Sequence, residues 1–585
     1  MANPTPVSNA QLVEMFDEMA DLLELSGENM FRVRAYRTGA AAIATLSESV
    51  AELIAKGGDL TQYEGIGSTL AEKSKVIVET GRLPQLEALR EKVPPTLRSL
   101  MRVPGLGAKK AMRLFQELGV VDLATLKSAC DRGAVASLKG FGEKTQQSIL
   151  QNLTIVEQAS HRLGIDAADA LVARLRKHLE TLPAVERLEF AGSYRRRKES
   201  VGDLDILVTS PNPEQVMDHF SQFPGIQTIL ARGETKMSVR VSDAFQIDMR
   251  VVPEASWGAA LQYFTGSKEH NVHVRSIAKA RGFKLNEYGL MPADSETVAV
   301  ASREESEIYE QLGLPWIPPE LRENRFEFES QIALRLENLI RCEDIRGDLH
   351  MHTHATDGEN SIEEMADAAR AWGLSYIAIT DHSKRVAVAR GLDDARAIAQ
   401  WKEIERINSK ADNGFVIFKG IECDILEDGR LDLSDACLQQ ADWVTASIHF
   451  GQKQSRDEIT DRILGAIRHP YVHAISHPTG RLLSRRAAYD VDLSAVYQAA
   501  AEFGKCLEIN AHPERLDLND AHAAAAAAAG VMIVINTDAH AIGNLDLMQY
   551  GVAVARRAGL ARDQVLNTRP VESFREWLVG VRERV

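Results

Sequence analysis

The sequence predicts a multidomain chain of α+β and α/β type: helical domains first, a strand-rich domain next, a parallel β/α barrel last. Three observations carry this. A Gly-x-Gly hairpin that opens a helix occurs three times before residue 145. Two stretches, 187–208 and 245–252, alternate apolar and polar residues at the two-residue period of strands. After residue 342, apolar strand-like runs recur, each followed by a His, Asp or Glu and then a helical stretch. Such repeats imply parallel strands, with polar residues gathered at their carboxyl ends.

At 585 residues the chain has room for about four domains. It is 45% hydrophobic and 26% charged, a globular composition. No apolar run approaches the roughly 20 residues of a membrane span, and the first residues lack a basic-then-apolar export signal. Five scattered cysteines without a CxxC pair predict a reducing cytoplasm and no disulfide framework. The net charge of −15 argues against a nucleic-acid binder, but residues 91–290 alone carry about +6.

The first helix is predicted over 9–27, ending at Gly27, and the second over roughly 30–46. The hairpins follow at Gly65/Gly67, Gly105/Gly107 and Gly140/Gly142. Each exposes successive backbone N–H groups, which suits a DNA phosphate and reads no sequence. Lys109 and Lys144 follow two of them. A tight helix–helix turn is the plain alternative for one copy; three copies favour DNA contact. Another amphipathic helix is predicted over 158–178.

The stretch Ala191–Val208 is the most informative. Asp203 and Asp205 sit two apart on one strand and share a face. Paired carboxylates repel, so the pattern points to a divalent cation, and with Mg²⁺ usually a phosphate substrate. Gly192-Ser193 and the run Arg195–Lys198 offer an anion site. Asp248 lies mid-strand at 245–252. Two readings stand: a partner for Arg250, or a third carboxylate of the same site. Prolines 315, 318 and 319 forbid regular helix, so 312–331 reads as an exposed connection.

Eleven of the 16 histidines lie beyond residue 342. The strand-then-ligand pattern selects His350, His352, Asp357, His382, Glu422, His449, His477, Asp538 and His540. Nine N/O ligands are too many for one ion and suit three; Zn²⁺, Mn²⁺ and Fe²⁺ all accept such a set. His354, His469, His473, His512 and His522 read as ordinary histidines.

These motifs resemble two known families. Residues 1–325 resemble a family X DNA polymerase, the superfamily of the repair polymerase beta. The pieces are Gly192-Ser193, Gly202-Asp203-Leu204-Asp205, Gly233–Lys236, Ile247-Asp248, Tyr263–Ser267, Asn271, Arg275 and Gly282–Tyr288. The resemblance implies a lyase-like helical domain over 1–90, a fingers-like one over 91–157, a palm over 158–260 and a thumb over 261–318. It implies two Mg²⁺ or Mn²⁺ ions on Asp203, Asp205 and Asp248. Ser193, Arg196 and Gly202 would hold nucleotide phosphates. Tyr263, Phe264, Gly266, Lys268 and Asn271 would line the nucleotide, and Arg275 would contact DNA. Lys268 departs from the aspartate of the beta enzyme. Lys73 occupies the position of a Schiff-base lyase lysine, or is a plain helix lysine; Arg32 and Tyr36 would hold a 5′-phosphate.

A linker over 319–340 then leads to 341–585, which resembles a PHP phosphoesterase domain, a distorted seven-stranded β/α barrel with three metals. Together the resemblances imply gap-filling synthesis on gapped or nicked DNA with dNTPs, plus a 3′–5′ exonuclease, AP-endonuclease or 3′-phosphatase activity. They imply a cytoplasmic monomer with no membrane partner. The rivals are a small-molecule PHP phosphatase tethered to a DNA-binding module, and a non-catalytic DNA-end scaffold.

Overall fold

The computed structural model describes residues 7, 9–45, 50–63, 65–101, 103, 105–159, 162–241, 245–294, 299–410, 414–483 and 485–582. It divides into two compact units, Met1–Ser160 and His161–Val585.

The first unit is helical. Asn9–Leu25 buries Leu12, Phe16, Met19 and Leu23, one stripe at helical spacing. Gly27, at φ +76°, follows its end. Its outer face reaches across residue 90: Arg90 binds Glu18 at 2.6 Å and Arg98 binds Asp21 at 2.9 Å. A single core joins Tyr36, Ile66 and Ile77 to Leu100, Leu114 and Phe141. This core runs across residue 90.

The first two hairpins share one backbone geometry. Gly65 and Gly105 take φ of +90° and +87°, and Gly67 and Gly107 cap the helices Ser68–Thr80 and Ala108–Leu118. A Cβ on Gly65 would press on Thr38 at 3.1 Å, so the position demands glycine twice over. The third hairpin differs, because Gly142 is itself at positive φ and is the first residue of Gly142–Ala159. Glu64 and Pro104, inside the motifs, lie outside the described residues.

The second unit opens with the strand Leu163–Gly164 and the helix Ile165–Leu179. The helix expected from 158 thus starts later, because Leu163–Gly164 pairs as a strand with Ser200–Val201. A five-stranded sheet follows in the order Arg187–Phe190, Asp203–Thr209, Gln246–Val251, Lys236–Arg240, Thr228–Arg232. Only Asp203–Thr209 and Gln246–Val251 run parallel. Ile247, Met249 and Val251 are buried, so the expected alternation fixes which face Asp248 shares with Asp205.

The helices Trp257–Thr265, Lys268–Ala280 and Glu305–Gln311 then pack with the hairpin Phe283–Asn286/Gly289–Pro292. Residues 312–331 are not the exposed connection the prolines suggested. Ile317, Pro318, Pro319, Leu321, Arg322 and Glu327 are buried. Arg322 donates to Glu305 at 2.7 Å and to the Ile317 carbonyl at 2.8 Å, and His270 meets Glu327 at 3.0 Å. Proline limits the stretch to the single 3-10 turn Pro319–Leu321, but the charged residues after it bury by pairing.

Seven parallel strands make the barrel, in sequence order: Gly347–Asp348, Tyr376–Ile379, Val416–Asp424, Trp443–Ser447, Ala474–Ile475, Cys506–Asn510 and Met532–Asn536. A parallel bridge between Met351 and Ala539 and a bond from Leu349 N to Asn536 Oδ1 (3.0 Å) bring the last strand back to the first. Tyr376, Phe418, Trp443, Cys506 and Val534 pack against Phe574 of the last helix, Val571–Arg582. By the two-residue period, Glu508, Asn510 and Asn536 lie on that same face, nearer the carboxyl ends.

Candidate active sites

The sheet domain brings its three aspartates together. Asp205 stands directly opposite Asp248 in the parallel register, and Asp203 opposite Gln246. Burial and the charges of Asp203 and Asp248 push Asp205 up to about 7, against the opposing pull of Arg250 and Arg196. Burial and Asp248 also raise Asp203. Three carboxylates crowded together in this way, with Asp203 and Asp205 held back from ionising, call for a cation among them. Gly192 follows from the same crowding: at φ +63°, a Cβ there would lie 2.6 Å from Asp205 Oδ2.

Asp248 is not paired with Arg250. It accepts from Ser238 Oγ and from Gln246 Nε2 (2.9 Å), two holding residues the sequence did not single out. The Arg250 guanidinium lies over the Phe264 ring, 4.6 Å from its centroid.

The basic run is not a free phosphate patch. Arg195 binds Glu305 through two bonds of 2.8 Å. Arg196 binds Glu323 at 3.0 Å and the Thr265 carbonyl at 2.6 Å. Arg197 binds Asp169 at 2.7 Å, and Lys198 lies 3.6 Å from Glu323. Burial disfavours the charge on Glu305, yet Arg322 and Arg195 together hold it down at about 2.

Ser193, Arg196 and Gly202 stand around this turn, partly exposed. Tyr263 and Phe264 are half-buried and meet edge to face at 5.1 Å. Asn271 is buried, donating to the Tyr263 carbonyl (2.7 Å) and accepting from Gln262 (2.8 Å). Gly266 is buried beside it, while Lys268 and Arg275 are exposed on Lys268–Ala280.

In the first unit, Lys73 lies over the Tyr36 ring, 4.7 Å from its centroid, and donates to the Tyr36 hydroxyl. Arg32 is exposed and lies 3.4 Å from Glu28. Lys109 sits in the first turn of Ala108–Leu118, and Gly140 precedes Gly142–Ala159.

The barrel gathers all nine ligand candidates at the carboxyl ends of its strands. Three overlapping groups have ligand atoms within 4.8 Å of one another: His352, Asp357, His382 and His540; His350, His352 and Asp538; His382, Glu422 and His449. His477 joins them through Glu422, at 3.0 Å. Glu422 is the hub, with His350 at 3.6 Å and His449 at 3.6 Å as well.

The donor set fits metal. His350 Nε2, His352 Nδ1, His382 Nδ1 and Glu422 Oε2 are buried without a hydrogen-bond partner. His382 Nδ1 and Glu422 Oε2 approach to 2.7 Å out of hydrogen-bond alignment, as two ligands aimed at a common point do. Burial alone would discharge His350, but Glu508, Asp538 and Glu422 hold it well above its usual range. Burial, His382 and His540 push His352 down to about 4. His477 and Asp538 hold left-handed backbones, at φ +29° and +54°. Non-glycine residues there cost about 1–3 kcal/mol and concentrate at functional sites.

Three supporting residues escaped the sequence. Glu508 accepts from His350 Nδ1 (2.7 Å) and from the His477 N–H (2.8 Å). Asp424 accepts from the His449 N–H at 2.9 Å, and Asn510 donates to Asp538 at 3.0 Å. Their signal is a polar residue inside an apolar strand. The ligand pattern looked only past strand ends and so missed Cys506–Asn510 altogether. Three arginines of the barrel domain are engaged, Arg385 with Glu427, Arg390 with the Thr356 carbonyl and Arg481 with Glu199, while Arg515 lies 3.5 Å from Asp538.

Comparison with known proteins matches these parts one by one. Residues 7–83 match a helix-hairpin-helix domain and 97–153 a SAM-like helix-hairpin-helix tandem. Residues 162–254 match the DNA polymerase beta palm, 260–323 the DNA polymerase beta thumb and 348–530 the PHP domain. The chain is 39% identical to the DNA polymerase/3′-5′ exonuclease PolX of Bacillus subtilis, over 97% of this chain and 98% of that one. A probable phosphatase of Thermoanaerobacter sp. (strain X514) is 30% identical over 41% of this chain and 96% of its own. DNA polymerase lambda of Arabidopsis thaliana is 26% identical over 54% of this chain and 62% of its own. The chain therefore belongs to the PolX-type family X DNA polymerases, in which polymerase beta-like palm and thumb domains are joined to a C-terminal PHP domain.

Proposed function

We propose that the chain is a two-site DNA repair enzyme: a DNA polymerase that fills short gaps and a PHP-domain 3′–5′ exonuclease that trims 3′ ends. The observation that carries synthesis is the facing of Asp205 and Asp248 across two parallel strands with Asp203 beside them. The orphaned nitrogens around Glu422 support the hydrolytic site. The phosphatase likeness covers only 41% of this chain, and a small-molecule phosphatase tethered to a DNA module leaves the aspartate site without a role.

Asp203, Asp205 and Asp248 would hold two Mg²⁺ or Mn²⁺ ions. The nine barrel residues would hold three ions, Zn²⁺, Mn²⁺ or Fe²⁺. Bound cations would acidify the attacking hydroxyl or water and neutralise charge on the phosphate. Ser193, Arg196 and Gly202 orient the triphosphate of the dNTP. Tyr263, Phe264 and Gly266 shape the sugar pocket, beside Lys268 and Asn271. The Gly65, Gly105 and Gly140 hairpins, with Gly67, Gly107, Lys109, Gly142 and Arg275, hold the DNA backbone without reading its sequence.

Lys73 is the proposed lyase nucleophile, with Arg32 and Tyr36 at the 5′-phosphate. AP-endonuclease and 3′-phosphatase action would use the same barrel site. Among the described residues no helix is long and apolar enough to cross a membrane; a cytoplasmic monomer is the proposed setting. Asp205→Ala should abolish dNTP incorporation and spare the exonuclease, while His350→Ala with His352→Ala should do the reverse. Loss of both activities in either variant would overturn the two-site reading.

A further inference from the structure

Arg557 is the last residue of the helix Met548–Arg557, on the outside of the barrel, yet it is only 3% exposed. Its guanidinium donates to the Arg196 carbonyl at 2.8 Å, to Glu323 at 3.1 Å and to Asp520 at 2.6 Å. Glu323 receives Arg196 Nε at 3.0 Å on the same carboxylate oxygen. Arg196 in turn reaches the Thr265 carbonyl, directly before Gly266. One barrel side chain thus fixes the turn after Ser193 at its main chain, and the end of the helix Trp257–Thr265 through Glu323 and Arg196.

A planar guanidinium with several donors can span a carbonyl and two carboxylates; an ammonium cannot hold all three in fixed directions. Asp520 supplies the counter-charge on the barrel side and also binds Arg325. Arg557 touches neither set of metal-ligand candidates, and none of the nine barrel residues is among its partners.

We propose that Arg557, contributed by the PHP barrel, is a positioning residue of the polymerase nucleotide site, holding the turn through which Arg196 meets the incoming triphosphate. The proposal rests on the assignment of Arg196 to the nucleotide phosphates. A turn freed at its main chain must be reordered by each nucleotide that binds. The loss therefore falls on nucleotide affinity, with the size of one charge-assisted hydrogen bond.

The test is steady-state incorporation of a single dNTP into a one-nucleotide gap by the full chain, with exonuclease and thermal unfolding measured alongside. Arg557→Ala should raise the dNTP KM about tenfold, the equivalent of one such bond, with kcat, DNA affinity and exonuclease within about twofold of the parent. Arg557→Lys, which keeps the charge, should recover part of the KM and carries the test if the alanine variant does not fold. A KM within twofold of the parent in both variants, or exonuclease falling in step with synthesis, would overturn the proposal. Arg196→Ala separates the two layers. If it leaves KM unchanged, the phosphate assignment is wrong. If it raises KM while Arg557→Ala does not, only the positioning role is lost.

Discussion

Glu508→Gln isolates the carboxylate that organises the barrel centre. Glu508 is fully buried, and its two oxygens take four donors. Oε1 receives His350 Nδ1 (2.7 Å) and Asn536 Nδ2 (2.9 Å); Oε2 receives the His477 N–H (2.8 Å) and Asn510 Nδ2 (3.3 Å). Glutamine preserves the volume but turns one oxygen into a donor. If the amide NH₂ faces His477 and Asn510, donors meet donors. If it faces His350, the ring must accept at Nδ1 and carry its proton on Nε2, the nitrogen aimed at the ligand cluster. Either orientation weakens ligand candidates of the same centre. Changes of this kind to the partner of a ligating histidine cost about 10–100-fold in metal affinity, or roughly 1.4–2.8 kcal/mol. Chelator competition with elemental analysis of the full chain reads the affinity directly. The expected result is that loss together with a weakened exonuclease and unchanged dNTP incorporation. A Glu508→Gln protein that keeps the parent's metal affinity would refute this reasoning.

Glu305→Gln removes the anion between Arg195 and the wholly buried Arg322, leaving two guanidiniums uncompensated. Breaking such a pair costs about 3–5 kcal/mol, read as a lower denaturation midpoint at neutral pH. Because the folded carboxyl is held at about 2, below its usual 4.5, its stabilisation is complete above that usual value and fades as pH falls toward 2. The gap between parent and variant should close over that window; a gap independent of pH would contradict the pairing. At the other end of the chain, borohydride should trap a covalent adduct between Lys73 and a 5′-deoxyribose-phosphate end. Persistence of the adduct in Lys73→Ala, or no adduct in the parent, would remove the lyase assignment.

Residues whose chemistry is local were legible from the sequence. Asp203 and Asp205 announce themselves by a two-residue spacing, and the barrel's ligand candidates by following apolar runs. Long-range partners were not. The Arg195–Lys198 run reads as a phosphate patch until Glu305, Glu323 and Asp169 arrive from up to about 130 residues away to neutralise it. The prolines of 312–331 exclude an α-helix correctly, yet they say nothing of burial, which depends on Arg322 finding Glu305. Asp248 left two readings open because Arg250 and Gln246 are equally near it in sequence; the fold gives it Gln246 and, from the next strand, Ser238. Glu508 was missed for a related reason. A carboxylate inside an apolar strand is legible only as an anomaly until the histidine it holds is known.

The most direct measurement follows one labelled primer on a gapped duplex, with and without dNTPs, in the parent, Asp205→Ala and His350→Ala/His352→Ala proteins. The parent should extend with dNTPs and shorten without them. Asp205→Ala should only shorten, and the double-histidine variant should only extend. Extension by Asp205→Ala, or undiminished shortening by the double variant, would contradict the claim that two separate metal centres divide synthesis from hydrolysis.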